Sequence, residues 1–119
     1  MYKLPADFDG SFLKGKKLSM IAFSENSVVF HFEQNVSVCV LSSFIHSTDL
    51  SEELVTLQRV PVTDSTILQL LGHVTINVSS DPDGTLSMMF ENGHSLKVFD
   101  DSSNYESYLI SNGEEEIIV

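Results

Sequence analysis

The stretch Val28-Val29-Phe30-His31-Phe32-Glu33-Gln34-Asn35-Val36-Ser37-Val38-Cys39-Val40 decides the fold, because it comes twice. Its second copy is Leu86-Ser87-Met88-Met89-Phe90-Glu91-Asn92-Gly93-His94-Ser95-Leu96-Lys97-Val98. In each copy apolar residues recur at every second position on both sides of a short polar break. That is the period of a strand whose alternate side chains face a core. The break in the second copy is Glu91-Asn92-Gly93. A two-residue Asn-Gly turn would set Phe90 against Ser95. A three-residue loop with Gly93 left-handed sets Phe90 against His94, Met88 against Leu96 and Leu86 against Val98, which keeps the apolar rows together. Glu33-Gln34-Asn35 holds the same place in the first copy, with Asn35 in the left-handed role. It pairs Phe32 with Val36, Phe30 with Val38 and Val28 with Val40.

The likeness extends outward. Upstream lie Leu13-Lys14-Gly15 with Leu18/Met20/Ala22, and Leu70-Leu71-Gly72 with Val74/Ile76/Val78. Each triplet of apolar positions predicts one more strand, so each half reads as a three-stranded meander. Asp81-Pro82-Asp83-Gly84 is a turn signal linking Val78 to Leu86. Thr63 to Gly72 reads as one short helix, capped by Thr63 or Asp64 and stopped by Gly72. Ile67, Leu68 and Leu71 on its face could plug the open end of a curled sheet. Asp49–Val60 fits a helix through Asp49, Glu52, Leu50, Leu54 and Leu57, or a strand through Val55–Val60; the reading favours an irregular excursion. Tyr108–Ser111 and Glu116–Val119 predict C-terminal strands around Asn112-Gly113. An Ile-Ile-Val end is expected to pair with a sheet edge, of this chain or of a second copy.

The expected architecture is therefore mainly β and a single domain over 1–119. It is a duplicated antiparallel β-meander forming a curled sheet, sandwich or partly open barrel, with one short helix. The halves run over 11–48 and 70–111, joined by 49–69. A chain of 119 residues buries about two-thirds of its surface on folding, enough for a core without disulfides or metals. Six Lys+Arg against 17 Asp+Glu give a net charge of −11. That disfavours nucleic acid and anionic membranes as partners, since both demand positive fields. Cys39 is the single cysteine, so no internal disulfide is possible. The start Met1–Asp7 lacks an apolar signal-peptide core, and no stretch reaches the ~20 apolar residues of a membrane helix. The expected setting is the cytoplasm.

Chemistry is sparse in the sequence. His31, His46, His73 and His94 show no metal-binding spacing. His31 and Cys39 share the outer face of one hairpin, but no cation or helix terminus activates the thiol. Asp81–Gly84 fails the calcium-loop spacing. No phosphate-binding glycine loop, nucleophile elbow or kinase signature is present. No catalytic residue, metal or cofactor is expected. The acids Asp100, Asp101, Glu106, Glu114, Glu115 and Glu116 form a possible interaction surface for a basic partner. Lys14, Lys16 and Lys17 read as a local patch pairing with nearby acids. Tyr105-Glu106-Ser107-Tyr108 is expected to lock a corner of the sheet through a phenol hydrogen bond.

The run Leu70-Leu71-Gly72-x-Val74, Gly84-x-Leu86-x-Met88-x-Phe90, Gly93-x-x-Leu96-x-Val98 and Tyr105-Glu106-x-Tyr108-x-Ile110 resembles a group of small, functionally uncharacterised bacterial proteins. Tyr108 stands where those proteins usually carry Trp. The resemblance implies a bacterial cytosolic domain and brings no catalytic residues. In size and acidity the chain is similar in character to immunity proteins that neutralise toxins. The leading expectation is a non-enzymatic protein-interaction module. A small-molecule site between sheet and helix is the alternative, and a homodimer through sheet edges is a further expectation.

Overall fold

The computed structural model describes residues 8–47, 55–59, 67–101, 106–113 and 115–119. Among them, ten strands form two antiparallel five-stranded sheets, neither closed into a barrel. The first meander is β1 (Leu18–Phe23), β2 (Val28–Phe32) and β3 (Ser37–Val40), followed by β4 (Ser43–Ser47) and β5 (Val55–Arg59). The second is β6 (Thr75–Ser80), β7 (Leu86–Phe90) and β8 (Ser95–Val98), followed by β9 (Tyr108–Ser111) and β10 (Glu116–Ile118). A 3-10 helix precedes each: η1 (Gly10–Phe12) and η2 (Ile67–Leu70). The expected short helix is thus η2; its expected caps Thr63 and Asp64 lie outside the described residues, as do Asp49 to Leu54 and Tyr105.

The sheet orders show what the sequence did not: β1-β2-β3-β9-β10 and β5-β4-β8-β7-β6. Each meander is completed by the hairpin that follows the other one. β9 pairs with β3, Val38 against Ile110, and β4 pairs with β8, His46 against Leu96. The two halves have therefore exchanged hairpins. The crossings mirror each other: Leu41 N–H donates to Ser107 C=O at 2.9 Å, and Phe99 N–H to Ser43 C=O at 3.0 Å.

The duplication is visible in the hydrogen bonds. Gly15 N–H donates to Thr75 C=O and Gly72 N–H to Leu18 C=O, both at 2.8 Å. Leu18 N–H reaches His73 C=O, and Thr75 N–H reaches Lys16 C=O. These reciprocal bonds relate the halves by a pseudo-twofold axis. On that axis Lys17 bridges its own counterpart Val74, and Phe32 stacks on its counterpart Phe90 with centroids 6.5 Å apart. Gly15 and Gly72 both adopt positive φ, 81° and 83°, to turn the chain from each 3-10 helix into its strand.

The expected hairpin registers hold in both copies: Phe30 faces Val38, Val28 faces Val40, Met88 faces Leu96 and Leu86 faces Val98. Phe90 N–H donates to His94 C=O, with Gly93 left-handed as expected. In the first copy the same register is held by a different turn, with Gln34 and Asn35 both at positive φ. The outer strands correct the sequence reading. A bulge after Leu18, and its counterpart after Thr75, breaks the period of two. Leu18 and Ile21 face inward on β1, and Thr75 and Val78 on β6, while Met20 and Ile76 stand 51% and 50% exposed. Leu18 is consequently the counterpart of Thr75 and not of Val74. Val55–Arg59 is a strand, not an irregular excursion, because it closes a hairpin on β4 with Ile45 against Leu57.

The inner rows form one core across both sheets, with Phe30 meeting Phe44 edge-on at 5.9 Å. Ile117 pairs with Ile110 and Val119 is buried, so the apolar end pairs with this chain's own β9. Tyr108 supplies the expected corner lock: its buried hydroxyl donates to Gly84 C=O at 2.6 Å, tying β9 to the β6–β7 turn of the other sheet. Tyr108→Phe leaves that carbonyl buried without its donor. It is expected to cost about 1–3 kcal/mol, read from urea unfolding as a lower midpoint with unchanged slope.

Candidate functional site

The acidic residues are arranged by the crossings. Asp100 and Asp101 follow β8, where the chain leaves for the other sheet. Asp100 accepts a hydrogen bond from the buried Ser107 hydroxyl at 2.8 Å, and Asp101 accepts one from the buried Ser43 hydroxyl. Both aspartates thus fasten crossing serines as well as contributing charge. The β6–β7 turn packs against them: a methyl group on Gly84 would stand 2.9 Å from Asp100 Cβ. Asp83 in that turn holds Thr85 N–H at 3.1 Å. Burial, then the charges of Asp100 and Asp83, push the Tyr108 phenol well above its ordinary pKa. Asp100 and Asp83 therefore lie near the Tyr108 phenol, with Asp81 in the same turn as Asp83 and Asp101 next to Asp100.

The expected acidic surface is divided. Glu115 and Glu116 are exposed beyond the far end of β9, which runs from Tyr108 to Ser111. At about 3.3 Å per residue, the length of β9 separates them from the Asp100 end by roughly 13 Å. Glu106 is half-buried before β9, and Glu114 lies outside the described residues. The turn residues Asp81 and Asp83, read from sequence only as a turn, belong with Asp100 and Asp101. Nothing in their spacing announces this, because the strand exchange brings them together. Of the lysines expected to pair with acids, Lys16 donates its ammonium to the Gln34 side-chain oxygen. Lys17 gives its backbone N–H to Glu33 at 3.2 Å.

The fold also assembles a histidine pair that spacing did not suggest. His46 Nε2 and His94 Nδ1 lie 3.1 Å apart, with His46 fully buried. One ring donates and the other accepts, which requires at least one of them to be neutral. His46 continues the inward row of Phe44 on β4, and His94 extends that of Leu96 and Val98 on β8. The sequence reading missed β4, and with it the pairing. Burial, then the His94 charge, hold His46 down to a pKa of about 4. On the surface, His73 Nδ1 meets Glu91 at 3.2 Å.

His31 lies opposite Ser37, and Val29 opposite Cys39, as the register requires. Burial pushes the Cys39 thiol up, partly offset by a Ser27 hydrogen bond, and the Glu116 charge adds a smaller rise. A protonated thiol is a poor nucleophile. Among the described residues no group of three or more His, Cys, Asp or Glu could hold a metal ion. Among the described residues no helix is long and apolar enough to cross a membrane. Where a ligand cavity between sheet and helix was the alternative, Ile67 and Leu70 of η2 are buried in the common core with Leu13, Phe32 and Phe90.

The His46 pKa carries a pH dependence. The unfolded chain takes up the proton near pH 6.5, the folded chain only near pH 4. Stability from this group is full above about pH 6.5 and is lost as pH falls towards 4, by about 3 kcal/mol at most. Denaturant midpoints measured across that window should show the loss, and His46→Gln should flatten the slope. Compared with known proteins, residues 11–119 match the model of a family of unknown function (DUF6188), and the chain belongs to that family. No curated protein and no solved structure matches it.

Proposed function

We propose that this member of the family is a non-enzymatic protein-interaction module whose acidic end binds a basic protein partner in the bacterial cytosol. Toxin neutralisation is the concrete version. The observation that supports it most is the gathering of Asp81, Asp83, Asp100 and Asp101 around the β6–β7 turn, on a chain of net charge −11. Such a surface raises the encounter rate of a cationic partner and suppresses anionic ones. The residues behind it are committed to structure: the phenol of Tyr108 is tied to Gly84, and the serine hydroxyls to the aspartates. A rigid scaffold holding fixed carboxylates suits recognition. The small-molecule alternative gains no support from a core already occupied by Ile67 and Leu70.

The test is the rate of association with a basic partner recovered from the native host. The on-rate is expected to fall about ten-fold or more as ionic strength rises from low to physiological. Asp81→Asn combined with Asp83→Asn, which keeps the turn's side-chain hydrogen bonding, should slow association and leave dissociation nearly unchanged. An on-rate indifferent to salt, or no partner recovered at low ionic strength, overturns the reading.

A further inference from the structure

The pseudo-twofold gives every exposed residue of one half a counterpart in the same backbone setting. Most counterparts are alike in exposure; one region is not alike in chemistry. Leu68 and Leu71 of the η2 turn are 54% and 40% exposed, and Met20 and Phe23 of β1 are 51% and 44% exposed. Their counterparts are Ser11, Lys14, Asn77 and Ser80, all exposed and all polar; the reverse contrast occurs at Ile76, 50% exposed, against Ser19. The equivalence is fixed by matching bonds: Lys14 N–H to Ser11 C=O as Leu71 N–H to Leu68 C=O. Across the sheet, Met20 faces His31 as Asn77 faces Met89, and Phe23 faces Val28 as Ser80 faces Leu86. The fold accepts polar side chains at these four positions, so folding does not explain the apolar ones.

The same region contains an unpaired edge. Gly72 and His73 cover β1 at Leu18 and no further. Ser24 N–H donates to Ser27 C=O at 2.9 Å, so antiparallel alternation turns the backbone groups of Ile21 and Phe23 away from β2. Among the described residues no backbone partner meets them there. Of the four sheet edges among the described residues, β10 carries Glu116, β5 ends on Arg59, and β6 presents Asn77, Ser79 and Ser80 beside one exposed apolar residue, Ile76. Strand β1, Leu-Ser-Met-Ile-Ala-Phe, is uncharged throughout. Charged side chains are one way edges avoid pairing; β1 carries none, and Ser19, at its bulge, is its one polar residue.

We infer that β1 is a docking edge for a second copy of this chain. Two β1 strands pair antiparallel with Ala22 on the twofold axis, Ile21 of each copy bonded to Phe23 of the other. This occupant fits the charge. Each copy carries −11, and β1 brings no charge to the contact. Glu115 and Glu116 sit at the opposite edge of the sheet, four strand spacings or about 19 Å away. A basic partner gains nothing from an uncharged strand, whereas an apolar strand is complementary to itself. The acidic end is left open for the partner proposed above.

The test is the solution mass of the full chain by sedimentation at about 1–100 µM, with amide exchange of Ile21 and Phe23. The wild type is expected at twice the chain mass, with both amides protected. Ala22→Lys sets two lysines against each other on the axis and should halve the mass. Ser79→Lys, its counterpart on β6, should leave the dimer intact. Phe23→Ser, at an exposed site, repeats the test should Ala22→Lys fail to fold. A monomeric wild type, a dimer that survives both β1 variants, or a dimer lost equally in Ser79→Lys overturns the inference. So does a monomer whose Ile21 and Phe23 amides become protected only when the basic partner is added, which would place that partner's strand at this edge.

Discussion

The exchange of hairpins between the two halves is the constraint on which everything else rests. Neither meander can cover its own inner row. β3 requires β9, and β8 requires β4. The core is therefore one core, with Phe30 against Phe44 and Phe32 against Phe90, and not two small ones. A half-length unit of this size would bury too little apolar surface to offset the entropy of ordering its chain. Exchange joins two insufficient cores into a sufficient one. It also explains why the conspicuous polar groups lie where they do. The chain must leave one sheet for the other twice; at these exits the Ser42 hydroxyl meets the Phe99 and Ser107 carbonyls, and the Ser43 and Ser107 hydroxyls donate to Asp101 and Asp100.

What was legible in the sequence follows the distance over which the causes act. Strands β2, β3, β7 and β8, their registers and the left-handed Gly93 are local matters of alternation and turn chemistry. They read correctly because sheet faces and turns obey short-range rules. The bulges after Leu18 and Thr75 were hidden, because one extra residue leaves composition unchanged while it re-aims all that follows. Strand β4 was hidden because a buried His46 and a buried Ser43 break the apolar row that a reader looks for. The pairing of β9 with β3 lay beyond any local rule. Of the expected acidic residues, Asp100 and Asp101 adjoin in sequence. Their union with Asp81 and Asp83, and their separation from Glu116, follow from topology alone.

Three titratable side chains are held away from charge. The His46 imidazole, the Cys39 thiol and the Tyr108 phenol are all shifted towards their neutral forms, each chiefly by burial. Groups kept neutral across the physiological range can be buried without a counter-charge. The charged groups stand on the rims, where water screens them and a partner can reach them. This separation, neutral within and anionic without, agrees with a protein that presents a surface.

The pairing of Val40 with Tyr108 also sets the order in which the molecule can be made. The chain must be available as far as Tyr108, close to its end, before the third strand of the first sheet has its neighbour, and contacts so remote in sequence slow folding. Until then a nascent chain displays an apolar hairpin with an open flank, a substrate for chaperones and for misassociation with its siblings. The stacking that makes the finished domain a single cooperative body thus makes its birth the hazardous stage.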